Sequence, residues 1–257
     1  MTTGDYGLVS IVMPSYNCGA YIAQAISSVL AQTYRHWELL VVDDGSDDDT
    51  AAVLSTFSDP RIRYIRHDVC RGAAVSRNTA LRMACGRWVA FLDSDDLWDA
   101  AKLERQLSFM VANGYSFSCT CYRETNESGR LSGIVVSSPR RITKRALMLY
   151  CWPGCLTVMY DARVMGILQV ADIKKRNDWA LWLKASRHAD CYLLDECLAS
   201  YRRRTGSIAS SNYPTLIAWH YRMYRRAEGM NALLALAMTA CNLVFGVLKK
   251  TIYEKRK

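Results

Sequence analysis

Four short β-rich runs, at residues 9–14, 38–42, 62–65 and 88–92, alternate with helically spaced apolar positions through the first third of the chain. Strands that alternate with helices predict βαβ units and a mostly parallel sheet with helices on its faces. The first run stops at Pro14, and residues 20–32 then carry Ile22, Ile26, Val29 and Leu30 at helical spacing. The second run ends in Asp43-Asp44-Gly45-Ser46, and the fourth runs straight into Asp93-Ser94-Asp95-Asp96. Carboxylates at strand C-terminal ends lie where open α/β sheets form their ligand crevice. Side chains alternate along an extended chain, so Asp93 and Asp95 are expected on one side, able to share a divalent cation beside a phosphorylated ligand. The alternative is structural: Asp95 or Asp96 caps the helix predicted to start near residues 99–103.

The chain has 257 residues, enough for one large α/β domain and a small appendage. A hydrophobic fraction of 51% with 22% charged residues excludes extensive disorder. After a predicted amphipathic helix at 102–112 the pattern shifts to shorter β-like runs at 115–119 and 133–136. Helices are predicted at 144–150 and 179–187, and a strand at 191–194. From 214 onward the chain reads as helical. The expected organisation is an α/β domain at 1–212, with a nucleotide-type crevice in the half at 1–112 and a second ligand in the half at 113–212, followed by a helical tail at 213–257.

Formal net charge is +9, which draws the chain toward polyanions. Its clusters lie in the last third, at 174–176, 202–204, 222–226 and 249–257, away from the acidic strand ends. Ten cysteines show no paired CxxC spacing for zinc. No secretory leader is read at the start, so these thiols are expected reduced, cytosolic and mostly buried.

Four motifs in order, 9–17 (Val-Ser-Ile-Val-Met-Pro-Ser-Tyr-Asn), 41–46 (Val-Val-Asp-Asp-Gly-Ser), 76–78 (Ser-Arg-Asn) and 91–96 (Phe-Leu-Asp-Ser-Asp-Asp), resemble the inverting nucleotide-sugar glycosyltransferases of family 2, whose fold is GT-A. The resemblance is strong over about the first 110 residues and looser beyond. It implies that Pro14, Tyr16 and Asp44 hold the nucleotide base, the tyrosine by stacking and the carboxylate by accepting an imide N–H. It places Arg77 in the nucleotide pocket and Asp93 on the ribose or a metal-bound water. Asp95 becomes the direct ligand of Mn2+ or Mg2+ bridging the diphosphate. The stretch 175–183 is similar to the family's late acidic motif and makes Asp178 the general base, with Asn177 standing where many members have glutamate. Read without the resemblance, Asp178 is better taken as the N-cap of the helix through Leu183, a role it could combine with that of base. Residues 201–209 resemble a late loop whose Arg202 and Arg204 could meet the donor or acceptor diphosphate, a solvated basic loop being the other reading. Trp152 is a candidate for the acceptor pocket or a core tryptophan.

An apolar stretch at 230–248 carries basic residues at both ends, which suits an anionic membrane surface, although its two asparagines and a threonine make it marginal as a span. Packing on the catalytic domain or on a second subunit, as in a homodimer, is the alternative. The resemblance implies an inverting transfer of a hexose or N-acetylhexosamine, from a UDP-linked donor to a polyprenyl-diphosphate-linked saccharide, in bacterial O-antigen or capsule synthesis. The enzyme would sit in the cytoplasm, peripheral on the inner face of the membrane. Two other classes are weighed. A sugar-phosphate nucleotidyltransferase needs a glycine-rich basic loop after the first strand, which 15–19 lacks. A nucleic-acid-binding module predicts aromatics among the basic clusters and no metal-poised carboxylates, so nucleic acid is not an expected partner.

Overall fold

The computed structural model describes residues 4–204 and 213–256. Its first half is a parallel sheet built from β1 (Val9–Ser15), β2 (Trp37–Asp43), β3 (Ile62–Arg66) and β4 (Trp88–Phe91), in the order β4-β1-β2-β3. The crossovers are α1 (Gly19–Leu30), α2 (Thr50–Leu54) and α3 (Ala73–Met83). Every residue of β1 and β2 is buried, as a strand covered on both faces requires. Alternation splits β1 between two cores: Val9, Ile11 and Met13 pack with α1, whereas Val12 packs with residues of α3. β3 is the edge, and its half-exposed pattern carries Arg63 and Arg66, which discourage pairing with another chain.

The second half turns the sheet mixed. It contains β5 (Leu97–Trp98), α4 (Lys102–Asn113), β6 (Phe117–Thr125), β7 (Leu131–Val136), β8 (Arg141–Ile142), α5 (Lys144–Leu149), β9 (Met159–Asp161), α6 (Ala162–Met165), α7 (Asn177–Ala185) and β10 (Cys191–Arg202). β9 runs antiparallel to both β4 and β6 and so joins the halves. β10 pairs in parallel with β6 and antiparallel with β5 and β8. It reaches eight residues beyond the predicted strand, through irregularities between Leu194 and Ala199 that break the alternation a sequence reading relies on.

The tail holds α8 (Tyr213–Arg226), α9 (Ala232–Ile252) and β11 (Glu254–Arg256). β11 pairs antiparallel with β7 and extends the sheet, so the tail is fastened to the domain at its far end. The sequence reads as helical to the end of the chain, whereas residues 254–256 form this short edge strand. α9 is long and apolar enough to cross a membrane, but it lies along the domain: Asn242 Nδ2 donates to Leu149 O at 3.0 Å and Lys249 Nζ to Trp152 O at 2.8 Å.

α3 and α7 contribute to the same core on one face of the sheet, through Ala80 and Leu81 from the first and Trp179 to Leu183 from the second. That placement brings Arg77 and Asp178 into one neighbourhood across a hundred residues of sequence.

Candidate active site

Where β1 ends the chain turns outward, leaving Tyr16 43% exposed above buried Pro14, which is in register with Val42. Asn17, at φ 49°, locks this turn to the next strand's loop: its Nδ2 donates to Asp47 Oδ1 at 2.6 Å and its Oδ1 accepts from Asp47 N at 3.0 Å. An exposed aromatic face on a fixed turn is suited to stacking a planar base.

Asp43 and Asp44 close β2. Asp43 is fully buried and accepts from Ser46 N at 3.0 Å and Tyr64 Oη at 3.2 Å. Gly45 between them and Ser46 sits at φ +75°, and a Cβ there would meet the Val69 carbonyl carbon at 3.0 Å, so only glycine suits this turn. Asp44 accepts from Gly72 N at 2.6 Å, Arg71 N at 3.1 Å, Ser76 Oγ at 2.9 Å and Cys70 Sγ at 3.2 Å, and bonds His67 Nδ1 at 2.9 Å. Burial pushes its carboxyl up, but these bonds outweigh burial and hold it below the usual carboxylate range. With about four lone-pair sites on a carboxylate, Asp44 is spent on the loop that follows β3, and a base N–H would have to compete with that loop.

β4 delivers the third acidic end. Asp93 pairs with Arg77 Nη2, while Arg77 Nη1 donates to Asn177 Oδ1 at 2.8 Å. Arg77 is 7% exposed and its Nε finds no partner among the described residues. Burial opposes its charge, but Asp93 and Asp178 outweigh that and keep the guanidinium protonated. Asp95 pairs with Arg204, Nε to Oδ2, at 2.6 Å. Burial and the charge of Asp93 raise the Asp95 carboxyl against the pull of Arg204, and burial drives Asp96 well above its ordinary value. Asp96 accepts from Arg202 N at 2.9 Å, so it holds β10 and does not cap α4.

Asp178 occupies the first turn of α7, whose N-cap residue is Arg176, in a left-handed conformation with no side-chain cap bond. The N-cap reading of Asp178 therefore does not hold. Half-buried, it takes no side-chain hydrogen bond among the described residues, and an acidic group in a first helical turn gains from the helix dipole. Its charge acts on Arg77, Cys151 and Cys155. Burial pushes both of those thiols up, which disfavours the thiolate a nucleophile needs.

Two expected ligand contacts are corrected. Arg202 is 2% exposed: its guanidinium donates to Asp95 O, Glu127 O and Gln24 Oε1 at 2.7–2.9 Å, and it stacks over Tyr21, leaving nothing for a diphosphate. Trp152 is 6% exposed and packs against Tyr150, Phe245 and Tyr253 while donating to Ala146 O at 3.0 Å; it anchors α9 and offers no face to a sugar. The part of the late loop at 205–209 lies outside the described residues. Sequence reasoning missed the engagement of Asn177 with Arg77 and of Ser76 with Asp44, since both join distant segments and carry no local pattern.

A divalent cation can be tested against these residues. Among the described residues no group of three or more His, Cys, Asp or Glu side chains is placed to hold a metal. Asp93 and Asp95 each face an arginine instead of a shared cation. Their mutual repulsion, visible in the raised Asp95 carboxyl, is relieved by added positive charge. One or two carboxylates fit a cation completed by substrate phosphates, the usual mode for Mg2+, and do not fit a standing protein cage.

The architecture is shared with solved structures. S. aureus TarS in complex with UDP-GlcNAc superposes with TM-score 0.68 at 20% identity, covering 91% of this chain and 71% of that one. The mannosyltransferase PcManGT from Pyrobaculum calidifontis, solved with GDP-Man and Mn2+, gives 0.60 at 17%, covering 93% and 75%. The fold is GT-A, a mixed sheet flanked by helices. Residues 10–158 match Glycosyl transferase family 2. The chain is 42% identical over 215 residues to the Escherichia coli UDP-Glc:alpha-D-GlcNAc-diphosphoundecaprenol beta-1,3-glucosyltransferase WfgD, spanning 82% of this chain and 83% of the relative. With the putative teichuronic acid biosynthesis glycosyltransferase TuaG of Bacillus subtilis it shares 39% over 242 residues, 92% and 96% of the two chains. The chain belongs to Glycosyl transferase family 2 and is a glycosyltransferase. That membership sets aside nucleotidyl transfer and nucleic-acid binding.

Proposed function

We propose that the enzyme transfers a hexose, with inversion, from a UDP-linked donor to a saccharide carried on a polyprenyl diphosphate, in the assembly of a bacterial surface polysaccharide. The observation that carries this reading is the meeting of two halves at Arg77, which bonds Asp93 at the end of a donor-side strand and Asn177 next to Asp178. The 42% identity to a glucosyltransferase whose name specifies UDP-Glc and a GlcNAc-diphosphoundecaprenol supports this donor and acceptor.

Tyr16 stacks on the base above Pro14, and Asp44 shapes the same pocket by fixing the loop through Gly72. Asp93 meets the ribose, held in place by Arg77. Arg204, paired with Asp95, turns its charge to the diphosphate. Asp178 removes the proton from the acceptor hydroxyl as that oxygen attacks the anomeric carbon opposite the leaving group. The bond to the diphosphate breaks with its electrons on UDP, and the anomeric configuration inverts. Asp95 would hold Mn2+ or Mg2+, which when bound stabilises charge building on the departing diphosphate. The site of action is the cytoplasmic face of the membrane, where lipid-linked acceptors present their sugars.

The test is release of UDP from UDP-glucose and a panel of other nucleotide sugars, with GlcNAc-diphospho-lipid as acceptor, with Mn2+ and with EDTA. Metal-dependent, acceptor-dependent release from one UDP-sugar is the expected result. Release from none of them, with the acceptor present, overturns the assignment.

A further inference from the structure

α9 is turned inside out. Its buried positions are Ala235, Thr239, Asn242 and Lys249, a stripe in which three of the four side chains are polar. Leu233, Leu236, Val244 and Val247 are 61–81% exposed. At ~100° per residue these leucines and valines cluster on an arc centred about 145° from the buried stripe. A helix on a water-facing surface shows the reverse arrangement, its apolar stripe toward the core. Packing on the catalytic domain alone therefore does not account for α9, because the domain takes its polar side.

The apolar face continues into a groove of about 490 Å³ between α8 and α9, lined by Pro214, Ile217, Tyr221, Leu233 and Leu236 among others. Charge surrounds it. Residues 213–257 hold eight Lys and Arg against only Glu228 and Glu254. Arg222, Arg225 and Arg226 are exposed at the end of α8, and Lys250 and Lys255 at the end of α9 and in β11. Glu228 is already committed to Arg187. A second copy of the chain would bring these cations together, whereas an anionic lipid surface complements them.

We propose that the outward face of α8 and α9 docks on an anionic bilayer, with α9 lying in the interface plane, its leucines and valines among the acyl chains and the flanking arginines and lysines at the headgroups. β11 and the bonds from Asn242 and Lys249 keep α9 on the domain, which excludes a span. The same bonds grip segment 149–152, whose Cys151 feels the charge of Asp178. The purpose of the surface rests on the acceptor proposed above; its existence does not.

The experiment is sedimentation of the full chain with vesicles of phosphatidylcholine alone or with about 30 mol% phosphatidylglycerol, at low and high salt, with light scattering of the protein without lipid. The wild type is expected to bind the anionic vesicles at least ~10-fold more tightly, and less so in salt. L236D/V244D, at exposed positions where folding is unaffected, is expected to lose that binding while keeping the wild-type melting temperature and UDP affinity. Equal binding by the variant, or no binding by the wild type, overturns the proposal. A dimer that the variant splits, without vesicle binding, assigns the face to a second copy instead. No sugar substrate is present, so failure of glycosyl transfer and failure of membrane docking are read separately.

Discussion

Arg77 Nη1 lies 2.8 Å from Asn177 Oδ1, and this single bond joins the helix after β3 to the first turn of α7. Because Arg77 also pairs with Asp93, the position of Asp178 relative to the donor-side carboxylates depends on one buried guanidinium. A neutral amide at 177 leaves the charge of Arg77 to Asp93 and Asp178.

Arg77→Lys removes the fork that reaches both partners. Losing two bonds to a charged group costs about 3 kcal/mol or more, so kcat/KM is expected to fall roughly 10²-fold. Steady-state kinetics with the UDP-sugar checks this, and an unchanged kcat/KM would remove Arg77 from the positioning role.

Asp44→Asn puts an amide against the backbone N–H groups of Arg71 and Gly72 and should destabilise the fold by about 1–3 kcal/mol. The native carboxyl titrates below its ordinary value of 3.8. Its contribution is therefore complete above pH ~4 and lost as pH falls through the lower folded value. Urea unfolding at pH 7 and pH 3 should show a larger loss on acidification for the wild type than for Asp44→Asn.

Much of the first half was legible because its signals are local: apolar runs, helical spacing, and acidic residues placed at strand ends. The parallel character read there holds for β1 to β4, and the sheet turns mixed where β9 reverses direction. Arg202 and Trp152 each carried two readings in the sequence for a common reason. A cation or an indole near a site has the same sequence signature whether it meets a ligand or a buried carbonyl, and only the tertiary partners, Glu127 and Gln24 for one and Phe245 for the other, decide.

Trp152→Ala empties a site packed by Tyr150, Phe245 and Tyr253 and should cost about 3–5 kcal/mol. Loosening is expected first in α9, as faster amide hydrogen exchange there than in β1 to β3. Uniform exchange across the chain would show that α9 is not anchored at this point.

Metal affinity should depend on nucleotide. With Asp93 and Asp95 as candidate ligands and no group of three or more among the described residues, Mn2+ alone is expected to bind weakly, and UDP to tighten it by on the order of 10²-fold. Calorimetry with and without UDP measures this, and tight binding to the protein alone would reveal a standing site that these carboxylates do not form.

The central claim is that Asp178 is the base that activates the acceptor. Asp178→Asn keeps the size and the helix, so kcat is expected to fall by roughly 10³ while the affinity for the UDP-sugar stays within about 2-fold of wild type. Turnover close to wild type, or loss of donor binding in its place, would contradict it.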